Sequence, residues 1–344
     1  MNSKSKLGQF YTTNSDYILQ GMEVPAGVDI IEPFCGQGDL VKWVGREVEK
    51  YDIDPKIDAI TQDTLLNPPN YKDKYVVTNP PYLARNKSSD KVLYDKYDMN
   101  DLYKISIRTI IDGDAIGGIL VVPVNFISED SFKLREYFFS KYKIIRLNIF
   151  EEDVFDDTSY SVCSFQFEKH DLYPLTPPYT KLPIFIYPSG KEIELILDSK
   201  YHFTIGKSLF PNIKSEYNIR RLVEGENPTS NLYLRAIDTG TNVGRINLSI
   251  NGEYLYGSQT DRTFATIQTD TPISDEIFVC EKFNEILEKY RDRYNSLFLT
   301  NYRNSTSSYA RKRITFKQVY SLIEQILKNI ENKAWHVYYL CRIF

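Results

Sequence analysis

Between residues 28 and 170, short apolar runs alternate with amphipathic stretches, and this alternation commits the first half of the chain to a doubly wound α/β sheet that is mostly parallel. The pattern predicts strands over 28–34, 48–53, 59–61, 75–78, 118–124, 144–150 and 161–168, with helices over 40–46, 100–111 and 130–142. The last run, Ser161 to Phe167, alternates in polarity, as an antiparallel strand near the sheet edge does. Tyr173-Pro174-Leu175-Thr176-Pro177-Pro178 then reads as a linker. One domain is therefore expected over 1–172 and a second over 180–344. In the second, the βα alternation gives way to Asn-, Tyr- and Thr-rich segments, and helical periodicity returns over 275–294 and 316–330.

In an open α/β sheet, ligands gather at the carboxyl ends of the strands. Tyr75-Val76-Val77-Thr78 is β-branched and aromatic, and Asn79-Pro80-Pro81-Tyr82 stops it. The Asn79 amide oxygen and the Pro80 carbonyl are two adjacent acceptors that can hold an exocyclic NH2 group. Pro81 fixes the backbone, and Tyr82 offers a flat face for stacking. Upstream, Glu32-Pro33-Phe34-Cys35-Gly36-Gln37-Gly38-Asp39 follows the first strand, and its glycines allow a tight turn and close backbone approach. It lacks the full dinucleotide pattern and has no basic residue, which argues against a pyrophosphate. Glu32 and Asp39 instead suit an ammonium or sulfonium charge. Asp52 ends the second strand about 20 residues after the glycine loop, where an acid binds ribose hydroxyls. Asp63, ending the third, can accept from an adenine amino group.

The four cysteines are dispersed without CxxC spacing and there are only three histidines, so no metal site is expected. No segment reads as a signal peptide or a membrane span, and a reduced cytoplasmic setting is expected. Residues 1–170 hold 20 Lys and Arg against 27 Asp and Glu, while 171–344 hold 22 against 19. An acidic first half and a mildly basic second half fit a catalytic domain joined to one that faces an anion.

These motifs resemble those of S-adenosylmethionine-dependent DNA adenine-N6 methyltransferases of the γ arrangement, found in restriction–modification systems. In that arrangement the cofactor motif, the catalytic motif and a C-terminal target-recognition domain follow in order. An extra N-terminal cofactor motif is matched by Gly8-Gln9-Phe10-Tyr11-Thr12-Thr13, with Thr13 where proline is common. The likeness covers residues 8–170 and implies a Rossmann-like methyltransferase sheet. It implies a catalytic tetrapeptide at Asn79, Pro80, Pro81 and Tyr82. It also implies cofactor contacts at Phe10, Tyr11, Thr12, Glu32, Phe34, Gly36, Gly38, Asp52, Ile53, Asp63 and Asn79. The target adenine would be flipped out of double-stranded DNA at a cost of roughly a few kcal/mol. Tyr82, Phe10 and Phe155 would contact the flipped base. The resemblance also allows for a cognate restriction endonuclease acting on the same site.

In the second half, Arg303, Arg311, Lys312 and Arg313 form the most basic segment, and phosphate contact is its modest reading. Arg85, Lys87, Lys91 and Lys96, just after the tetrapeptide, could likewise grip phosphates. Two rival functions remain open. A protein glutamine N5-methyltransferase uses the same tetrapeptide, but its extra domain precedes the cofactor motif. A DNA-binding protein on an inactive methyltransferase scaffold would not need Asn79, Gly36, Gly38 and Asp52 all in place. Cytosine-N4 enzymes typically carry Ser at the position of Asn79.

Overall fold

The computed structural model describes residues 12–129, 131–155, 161–170, 175–211, 215–238, 244–256, 263–303 and 311–331. The chain divides into two compact units, the first running to Thr204 and taking in Arg303–Ser308, the second made of Ile205–Tyr302 and Tyr309–Phe344.

The first unit is built on a nine-stranded sheet. In chain order its strands are β1 (Asp29–Glu32), β2 (Glu49–Asp52), β3 (Ile60–Thr61), β4 (Lys74–Thr78), β5 (Gly117–Pro123), β6 (Tyr142–Phe150), β7 (Val162–Lys169), β8 (Tyr179–Tyr187) and β9 (Lys191–Asp198). Their spatial order is β3-β2-β1-β4-β5-β7-β6-β8-β9. The pairs from β3 through β5 are parallel, as is β6 with β8, while β7 runs antiparallel to both β5 and β6. The architecture is thus mixed α/β with a mostly parallel sheet. Strand order reverses between β1 and β4, which makes the carboxyl ends of those two strands the switch point where a crevice opens. All of β5 is buried, and so are Val76 and Val77 of β4, as expected of central strands covered on both faces. Crossovers include the helices Asp39–Val44, Leu102–Asp112 and Lys133–Lys141.

Two expectations differ from this arrangement. Strand β7 is antiparallel as read, but it lies inside the sheet, and the antiparallel edge is β9. The Pro-rich segment does not end the first unit either. After it the chain re-enters the sheet, pairing Leu147 to Phe150 of β6 with Ile184 to Tyr187 of β8. The physical reason is in β8, where Thr180, Leu182, Ile184 and Ile186 are buried on alternate positions and cover an otherwise open strand edge.

The second unit holds a four-stranded sheet, β10 (Arg220–Arg221), β11 (Leu232–Arg235), β12 (Asn247–Ile250) and β13 (Phe264–Gln268), in the order β10-β13-β11-β12. The helix Glu276–Tyr294 starts where the Asp275 side chain accepts from the Phe278 amide at 2.9 Å. It is tied to β12 by Asn284, which exchanges two hydrogen bonds with the backbone of Leu248. In the helix Phe316–Glu331, Val319, Leu322, Ile323, Ile326 and Leu327 form one buried stripe. Among the described residues no helix is long and apolar enough to cross a membrane.

Candidate active site at the strand ends

Strand β1 delivers Glu32 to the switch point, and the turn that follows is set by Gly36 and Gly38, both with positive φ (51° and 82°). A residue with a Cβ adopts that backbone only at a cost, and Gly38 also caps the next helix from the left-handed region. Asp52, buried at the end of β2, welds the turn to its neighbour. One of its oxygens accepts from the Gly36 amide and the other from the Asp54 amide, each at 2.8 Å. Asp63 caps the turn after β3, accepting from the amides of Leu65 and Leu66 at 3.0 and 3.1 Å. These backbone bonds are why the acids sit where they do, and each carboxylate keeps acceptor capacity for a ligand.

Glu32 is 1 % exposed. Its Oε1 accepts from the Phe34 amide at 3.0 Å and from the Thr78 hydroxyl, while Oε2 is buried with no partner. Burial pushes its carboxyl up to about 8, opposed by those two hydrogen bonds and reinforced by the nearby Asp52. No local pattern signals the Thr78 contact, which spans 46 residues along the chain.

Asn79 follows β4 directly. Its Nδ2 donates to Thr12 Oγ1 at 2.9 Å, and its Oδ1 accepts from the Tyr82 hydroxyl, which also lies 2.7 Å from the Val121 carbonyl. Tyr82 is 3 % exposed and packs edge-on against Tyr103. Its ring lies beneath Asn79 instead of facing outward. Asp101 accepts from the Leu83 amide at 3.1 Å just past the tetrapeptide, and burial pushes its carboxyl up to about 6.

These groups surround one cavity of about 300 Å³. Thr12, Glu32, Phe34, Gly36, Asp52, Ile53, Asp63, Asn79 and Pro81, all singled out from sequence, line it. Gly38, Pro80, Tyr82 and Phe155 do not, and Phe155 is buried at 5 % exposure. Phe10 and Tyr11 lie outside the described residues. The loop after the tetrapeptide contributes Ser88, Ser89 and Asp90, which sequence reasoning missed. Its basic residues are engaged within it. Arg85 pairs with Asp95 at 2.8 Å, Lys91 donates to the carbonyls of Arg85 and Ser88, and Lys96 lies over Tyr97.

The charge of the lining is one-sided. Five acidic side chains reach it, from Glu32, Asp39, Asp52, Asp63 and Asp90, and no Lys, Arg or His lines it among the described residues. A phosphate-bearing ligand would meet repulsion there, whereas a cation would find complementary charge. Among the described residues no group of His, Cys, Asp and Glu has the arrangement of a metal site.

No protein-family model matches the chain, and no curated protein matches it. Solved structures are similar at low identity. A type I restriction-modification system methyltransferase subunit from Streptococcus thermophilus is 14% identical, with a TM-score of 0.38 over 59% of this chain and 52% of its own. The type IIG restriction endonuclease BpuSI is 14% identical, with a TM-score of 0.39 over 64% and 36%. The M protein of the type I restriction enzyme EcoKI is 12% identical, with a TM-score of 0.32 over 79% and 68%. The chain thus spans about half the length of the Streptococcus protein. At these scores the likenesses decide nothing about chemistry, which has to come from the residues.

Arg303, which is grouped with the first unit, ends the strand Thr300–Arg303, and in the second unit Arg311 begins the strand Arg311–Arg313. Lys312 is 8 % exposed and its ammonium lies 3.4 Å from the Asn295 carbonyl. Arg313 is half-buried and bridges to Ile237 through the backbone. The basic run is therefore a strand woven into this unit.

Proposed function

We propose that this protein is an S-adenosylmethionine-dependent methyltransferase that acts on the N6 amine of an adenine flipped out of double-stranded DNA. The observation that carries the reading is the cavity lined by five acidic side chains and, among the described residues, by no Lys, Arg or His, with the Asn79 carboxamide in its wall. Its volume falls at the lower end of the roughly 300–1,000 Å³ usual for small-molecule sites. The buried, unpartnered Glu32 Oε2 and the aspartates fit a ligand that brings positive charge and hydroxyl donors. When bound, the cofactor supplies a methyl group activated by a sulfonium.

The chain's own residues handle the amine. The lone pair of adenine N6 is delocalised into the ring, which makes it a poor nucleophile. Asn79 Oδ1 and the Pro80 carbonyl accept its two N–H bonds and leave the lone pair on nitrogen. Asp52 and Asp63 hold hydroxyl and amino donors of the nucleoside, and Glu32 faces the charged end. Orientation and fixed dipoles do most of the work in such a site. Stacking of Tyr82 on the base would require its hydroxyl to leave Val121 and Asn79. DNA contact is assigned to Arg303, Arg311 and Arg313, with Lys312 the weakest member because it is buried.

The reading is tested by expressing the chain in a host that lacks adenine methylation and sequencing the host DNA for modified bases. N6-methyladenine at one short sequence motif is expected, and none in cells expressing Asn79→Ala. Label from tritiated cofactor appearing in protein, with host DNA unmodified, would instead favour the glutamine enzyme.

A further inference from the structure

Asn148 and Ser164 are fully buried in strands otherwise rich in apolar residues, and the chemistry above makes no use of them. Both reach the N-terminal segment. Ser164 Oγ donates to the Ile18 carbonyl at 2.5 Å, and Asn148 Nδ2 reaches the carbonyls of Ile18 and Gln20 at 3.3 and 3.0 Å. Gln166 adds a bond to the Glu23 carbonyl at 2.8 Å. Residues 18–23 are thereby held against the sheet. One helical turn upstream, Ser15 Oγ donates to the Thr12 carbonyl at 2.8 Å. The Thr12 side chain, 3 % exposed, meets Asn79.

We propose that Thr12 is a positioning residue for Asn79, holding the carboxamide in the plane from which it receives the target amine. Two hydroxyls clamp that group, Thr12 at its nitrogen and Tyr82 at its oxygen. The nitrogen can only donate, and a donor turned toward an amine would repel it. Thr12 keeps the nitrogen engaged on the far side. The buried polar groups of β6 and β7 act at one remove, by fixing the segment that carries Thr12.

The proposal rests on the methyl-transfer reading, and the experiment separates the two. Transfer from tritiated S-adenosylmethionine to genomic DNA of a host without adenine methylation is measured for wild type, Thr12→Val and Thr12→Ser, with cofactor affinity by calorimetry. Thr12→Val is expected to lower kcat about tenfold, the scale of one lost hydrogen bond to a reacting group. Its cofactor Kd should stay within threefold, and Thr12→Ser should recover most of the rate. Should valine crowd the segment and unfold the chain, Thr12→Ala gives the same readout without added bulk. An active wild type with an equally active Thr12→Val overturns the proposal alone, as does a loss confined to cofactor affinity, which would make Thr12 a ligand contact. A wild type that transfers no methyl group to DNA overturns the reading and the proposal together.

Discussion

Glu32 holds its proton at neutral pH, because burial pushes its carboxyl to about 8 from an ordinary value of 4.5. An acid with a raised folded pKa gives the folded state an extra proton between those values. Its contribution to stability is full below pH 4.5 and is lost as pH rises through about 8. Glu32→Gln keeps the shape without the titration, so the fall in urea midpoint from pH 5 to pH 8 should be shallower in this variant than in wild type. Equal slopes would mean that Glu32 is better solvated than its burial implies. Tyr82 is a second case in which the side chain's setting decides the prediction. If its hydroxyl holds Asn79 from below, Tyr82→Phe loses that bond and should transfer methyl groups about three- to tenfold more slowly. A role confined to ring stacking would leave the phenylalanine variant at the wild-type rate.

The N-terminal segment belongs to the site because strands β6 and β7 hold it there. Asn148→Leu removes the donor to two buried carbonyls, Ile18 and Gln20, and should cost about 1–3 kcal/mol in urea unfolding. A change below about 0.5 kcal/mol would show that water replaces the amide. The elements that frame the cavity were legible in the sequence. Apolar runs at 28–34 and 75–78 give β1 and β4, and a polar residue after each run marks a strand end. Glu32, Asp52, Asp63 and Asn79 therefore fell to simple pattern reading. What the pattern does not carry is pairing between distant segments. The bond from Asn79 to Thr12 spans 67 residues and the one from Thr78 to Glu32 spans 46. Tyr82 looked like an outward platform because a tyrosine after two prolines says nothing about which way its ring turns. Prolines near residue 177 were read as a boundary because they cannot continue a ladder, yet β8 begins directly after them.

At the scale of the molecule, the division after Thr204 makes a claim about what folds alone. A fragment ending at residue 204 keeps β8 and β9 and should be soluble, with cofactor affinity near that of the whole chain. One ending at residue 172 leaves the edge of β6 bare and should aggregate. Gel filtration and calorimetry on the two fragments check this, and a well-behaved shorter fragment would make β8 and β9 dispensable. Because acidic side chains line one cavity with no Lys, Arg or His beside them among the described residues, ionic strength acts on this protein twice. Salt screens charges over about 10 Å at 0.1 M, so it weakens the capture of a cation by the cavity. It also weakens any grip on phosphates, because each condensed counterion released gains less entropy in concentrated salt. A salt titration of activity therefore superimposes two slopes of the same sign from opposite kinds of charge. Only with the cavity saturated does the remaining slope count phosphates.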